Sequence, residues 1–135
     1  MDDILTPRGF LRVGGTILLV LGWLGYLLYP FTGGALLGDA LWFDNGENFA
    51  HAALGVLALV FAADLNRDWQ RWITALLGLI ALLTGIYGFT LPAGMMDAMN
   101  LGVANLENPM DNLVHLVVGV WALWAAVKGA GEATA

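Results

Sequence analysis

The sequence predicts an all-α integral membrane protein of four transmembrane helices, built from two parallel two-helix repeats about a pseudo-twofold axis along the membrane normal. Three observations lead there. Of the 135 residues, 59% are hydrophobic and 12% charged, against about 25% charged in ordinary soluble domains. Apolar runs cover residues 13–29, 49–63, 73–91 and 113–127; with their polar ends counted, each is close to the roughly 17–25 residues that cross about 30 Å of hydrocarbon. The third observation is an internal repeat. Gly15, Gly22, Gly25 and Tyr26 match Gly78, Gly85, Gly88 and Phe89 at an offset of 63, and Glu47, Asn48, His51 and Gly55 match Asp111, Asn112, His115 and Gly119 at an offset of 64. One residue is inserted in a loop, and each half holds two spans, so both halves share an orientation. Residues 1–135 therefore read as one membrane domain, with repeat one over about 10–63 and repeat two over about 72–127.

The first span follows Arg8 and Arg12, but it is longer than the h-region of a secretion signal and no small-residue cleavage pattern follows Tyr29, so it is expected to be retained. The segment 30–43 and its counterpart 92–107 are longer than a hairpin needs. Both carry apolar residues, among them Leu36, Leu37, Leu41, Met95, Met96 and Met99, which fits short amphipathic segments on the membrane surface. The second span opens with Asp44 at the N-cap and Glu47 three residues on; the fourth opens with Asn108, Pro109 and Asp111 in the same arrangement, a capping signature occurring twice. The loop between spans two and three carries Trp69 and Trp72, expected to anchor at an interface, as are Tyr26, Tyr29 and Trp42 at the other side. Trp121 and Trp124, three residues apart in span four, suggest a face shown to lipid or to a partner chain. Glycines at 15, 22, 25, 55, 78, 85, 88 and 119 are expected to permit close helix contacts, the usual means of association in lipid.

All five basic residues, Arg8, Arg12, Arg67, Arg71 and Lys128, fall on one side of this topology. The positive-inside rule places that side, and both termini, in the cytoplasm of a bacterial inner membrane. The other side holds Asp39, Asp44, Glu47, Asp97, Glu107 and Asp111 and no basic residue. The absence of cysteine excludes disulfides and thiolate chemistry.

His51 and His115 are the only histidines, and they occupy equivalent repeat positions about 10 Å inside their helices. Each lies four residues after a carboxylate, Glu47 or Asp111, and three after an amide, Asn48 or Asn112, so each half presents one polar stripe. If both stripes face the axis, two imidazoles, two carboxylates and two amides converge. Three readings then compete: interhelical hydrogen bonding without a ligand; a divalent metal held by the histidines with Glu47 or Asp111, or a haem with His51 and His115 as axial ligands; and a polar site or route for a proton, ion or small molecule.

On these residues the chain resembles an uncharacterised family of small bacterial four-helix membrane proteins grouped under a domain of unknown function. The resemblance rests on Gly15-x(6)-Gly22-x-x-Gly25 and on the duplicated motif Asn48-x-x-His51-x-x-x-Gly55 and Asn112-x-x-His115-x-x-x-Gly119, and it covers nearly the whole chain. It implies the four-span fold and carries no assigned activity.

Spans one and three are poor in polar side chains, which counts against a continuous pore. No nucleophile with a base and an orienting acid is visible, which counts against hydrolysis. The function expected is a non-enzymatic scaffold or accessory subunit, in contact with the lipid bilayer and with another membrane protein or a second copy, and without nucleic acid. The alternatives are a metal- or haem-binding redox protein and a conduit.

Overall fold

A computed structural model describes residues 4–35, 42–91, 106 and 109–132, with side chains up to residue 129. It has four helices: α1 (Pro7–Thr32), α2 (Asn45–Asp64), α3 (Arg67–Gly88) and α4 (Met110–Glu132). All four are long and apolar enough to cross a membrane. At 1.5 Å per residue the 20 residues of α2 span about 30 Å, the thickness of the hydrocarbon core.

The helix ends follow from local chemistry. Thr6 caps α1 by accepting the Gly9 N–H at 3.1 Å, with Pro7 in the first turn. In α2 the Asp44 carboxylate accepts the Glu47 N–H at 2.8 Å while Glu47 accepts the Asp44 N–H at 3.1 Å, the reciprocal cap read from the sequence. Asn66 caps α3 through the Trp69 N–H. At α4, Pro109 O accepts the Leu113 N–H at 3.1 Å; the expected cap Asn108 lies outside the described residues.

Two details differ from expectation. The segment expected as loop from Pro30 is still helix, and α1 ends only after Thr32, where Gly33 at φ 64° donates its N–H to Tyr29 O. Pro30 removes one N–H from the last turn but not the carbonyls that later residues bond, and Gly33 takes the left-handed conformation that closes the helix. A single antiparallel pair, Ala35 with Trp42, closes the described base of that loop; Leu36, Leu37, Leu41, Met95, Met96 and Met99 lie outside the described residues. The second difference is Trp121. It does not share an outward face with Trp124: its indole packs edge-on against Phe10 with centroids 4.7 Å apart and donates to Ile4 O at 2.8 Å, while Trp124 is exposed.

Packing is by hairpins. α1 lies along α2 and α3 along α4, and α1 also touches α3 and α4. The glycines explain the closeness. A Cβ on Gly22 would stand 2.6 Å from Asn48 O and Ala52 N, and one on Gly85 would stand 2.8 Å from Asn112 O. Gly15 meets Ala58 and Leu59, and Gly78 meets Ala122 and Leu123; Gly55 meets Leu19, and Gly119 meets Leu82. Each contact in the first hairpin recurs in the second at offsets of 63 and 64, so the repeated glycines make repeated contacts. The buried apolar cluster joining the hairpins, Phe10, Leu11, Ala58, Ala62, Ala122 and Ala125, lies in the half of the bundle toward the basic residues.

Candidate functional site: a polar cluster at the acidic end

The opposite half is organised around polar side chains. Glu47 (6% exposed), Asp111 (8%), Asn48 and Asn112 (both 0%) are all buried, which is costly unless each group finds a partner. The capping box holds Glu47 back over the N-terminus of α2, where the helix dipole favours a negative charge. Asp111 turns the other way. His115 Nδ1 lies 3.3 Å from Asp111 Oδ1 and 2.9 Å from Asp111 O; both are acceptors, so that nitrogen carries the hydrogen. His51 has no such contact. Its Nδ1 is buried without a hydrogen-bond partner and its ring lies tilted against Phe43, with centroids 5.0 Å apart. The two histidines thus occupy equivalent positions but different environments. Glu47 reaches its own N-cap backbone, whereas Asp111, one methylene shorter, meets the imidazole one turn on.

The contacts of His51 with Phe43 and of His115 with Asp111 are each made within their own hairpin. Among the described residues no three His, Asp or Glu side chains are grouped as a metal centre needs.

The amides have another task. Asn48 and Asn112 make no hydrogen bond to either imidazole, and their side-chain atoms have no hydrogen-bond partner. Each Oδ1 instead sits where a Cβ of the facing glycine would stand, Asn48 on Gly25 and Asn112 on Gly88. A carbonyl oxygen over a glycine Cα is the arrangement of a Cα–H···O contact, which recurs at close helix interfaces. Its occurrence twice at equivalent places makes it a packing device of the hairpin.

Other residues were not marked by the sequence. Phe43 and Leu106, both buried, precede α2 and α4, and their signal was an apolar residue just ahead of a cap. Gln70 was hidden among the charges of the short loop. Its Nε2 donates to Phe61 O, Ala62 O and Leu65 O at 3.3, 3.1 and 2.9 Å, satisfying the last carbonyls of α2, and Arg8 Nε adds a bond to Ala62 O at 3.2 Å. Thr74, one turn after Gln70, is fully buried.

Comparison with known proteins adds no relative. No family model, no curated protein and no solved structure matches the chain.

Proposed function

We propose that the chain is a non-enzymatic scaffold or accessory subunit of a membrane complex, seated in a bacterial inner membrane with both termini in the cytoplasm and its halves related by a pseudo-twofold axis. The observation that carries this reading is where the glycines point. Gly15, Gly22 and Gly25 close on α2, and Gly78, Gly85 and Gly88 close on α3's own partner α4, so each hairpin is a preassembled unit. What remains outside is a surface of large apolar side chains, including Trp23, Phe31, Phe49, Val117 and Trp124. Lipid covers such a surface, and so does a second membrane protein or a second copy. Membership of the four-helix family that the duplicated Asn-x-x-His motif resembles fits this reading and rests on that motif and the glycine spacing.

The test is assembly in native membranes. A fluorescently tagged chain, expressed at its own level and extracted in native lipid discs, is expected to migrate well above its 14.4 kDa and to bleach in several steps or with a stoichiometric partner. Single-step bleaching of a chain that migrates alone overturns the proposal.

The haem alternative rests on two imidazoles at matching positions of different hairpins, of which His51 has a buried Nδ1 without a hydrogen-bond partner. A Soret band in the purified protein selects it, and stoichiometric metal without that band selects a metal site.

A further inference from the structure

The junction between α2 and α3 lies where two spans meet one membrane surface, since both helices are long and apolar enough to cross and only Leu65 and Asn66 separate them. The carbonyls that the end of α2 leaves open are already met. Gln70 Nε2 serves Phe61, Ala62 and Leu65, and Arg8 Nε serves Ala62. Arg71 stands 63 residues after Arg8, the offset that relates Gly15 to Gly78, but it reaches no carbonyl. Its guanidinium carbon lies 5.3 Å from the centre of the Trp72 ring, and among the described residues it makes no hydrogen bond or ion pair. Arg67, one turn earlier on the same side of α3, is exposed and likewise unpaired among the described residues. Trp69 and Trp72 are both exposed. Asp64 and Asp68 are exposed at the same junction, and neither is paired with either arginine.

We infer that Arg71 on its Trp72 ring, with Arg67 beside it, seats the phosphate of an anionic phospholipid headgroup. A guanidinium offers a planar fork of N–H donors that matches phosphate oxygens. Laid against an indole it is held by the ring face, with the donors at its edge left open. The protein supplies no acceptor for them. At the first turns of a span, the depth that exposed indoles prefer, the acceptor in supply is the headgroup phosphate. Asp64 and Asp68 offset charge at this junction, so the attraction depends on the fork itself and not on net charge. A choline headgroup brings its own ammonium toward the two arginines, whereas a glycerol headgroup brings none, which favours the anionic lipid.

The chain has six tryptophans, and fluorotryptophan labelling gives each a fluorine resonance. The full chain is placed in phosphatidylcholine bicelles at about 0.15 M salt, Trp72 is assigned through Trp72→Phe, and phosphatidylglycerol replaces part of the lipid stepwise. The Trp72 resonance is expected to shift saturably, while Trp121, packed on Phe10, and Trp42, ahead of α2 at the other end, stay in place. Arg71→Gln is expected to need at least about tenfold more phosphatidylglycerol for half the shift, the loss of a charge-assisted hydrogen bond. Arg71→Lys should fall between the two, because an ammonium keeps the charge without the fork. Free glycerol phosphate added to phosphatidylcholine bicelles is expected to shift nothing. A Trp72 resonance that does not move overturns the lipid seat, as does an equal shift at Trp42, an undiminished shift in Arg71→Gln or Arg71→Lys, or the same shift from free glycerol phosphate. An unmoved Trp121 resonance shows that a variant is folded. Should Arg71→Gln fail that check, Arg67→Gln takes its place, with a weakened shift expected and an undiminished one overturning the seat.

Discussion

At the scale of single residues, the glycines separate by what stands opposite them. A Cβ at Gly25 or Gly88 coincides with the amide of Asn48 or Asn112, whereas one at Gly14 meets only the Phe10 ring at 3.9 Å. Gly25→Ala and Gly88→Ala are therefore expected to destabilise by about 1–3 kcal/mol through overpacking, while Gly14→Ala is neutral or stabilising by up to about 1 kcal/mol, because alanine is the better helix former. Reversible unfolding in bicelles measures all three, and equal tolerance would remove the role given to the asparagine contacts. Gly22 and Gly85 face backbone atoms that cannot turn aside, so Gly22→Leu and Gly85→Leu are expected to prevent folding where Leu18→Ile is mild.

At the scale of elements, the junction between α2 and α3 depends on one side chain. Gln70 donates one amide group to three carbonyls, groups that a helix end otherwise leaves to water. Gln70→Leu is expected to cost about 1–3 kcal/mol, the range for a buried acceptor left unpaired, because Leu65 O loses its donor while Ala62 O keeps Arg8 Nε and Phe61 O keeps the Leu65 N–H. Gln70→Glu should cost more, because a carboxylate presents acceptors to acceptors. Greater stability of the glutamate variant than of the leucine variant, by denaturant unfolding in bicelles at neutral pH, would contradict the capping role.

For the whole molecule, orientation is expected to be set by charge. With Arg8, Arg12, Arg67, Arg71 and Lys128 all at one end, a reporter fused after Lys128 is expected to read cytoplasmic and one inserted at Gly102 to read external. Moving the asymmetry should move the topology: replacing Arg67 and Arg71 with Gln while adding lysines beside Gly102 is expected to yield mixed orientations, and an unchanged single orientation would argue against charge as the determinant.

The four apolar helices and the cap on α2 were legible because they depend on local quantities, whereas the end of α1 was set by Gly33 and not by Pro30. Hydrocarbon thickness sets the length of an apolar run, and Asp44 with Glu47 satisfies N–H groups within one turn. The glycine contacts were legible for a similar reason, since glycine is spaced regularly enough in these helices for the close approaches at Gly22 and Gly85 to be read. The partner of each polar group was decided only by tertiary structure. Spacing put Asn48 beside His51, but the close approach of α1 opened a niche at Gly25 that the amide fills. Trp121 and Trp124 looked like one face, and the contact of α1 with α4 packed the first, half-buried, against Phe10 and left the second outside. Spacing likewise gave His51 and His115 identical surroundings, whereas the structure pairs His115 with Asp111 and sets His51 at a tilt against Phe43. Such choices depend on which surface arrives from another helix, and distance along the chain carries no information about that.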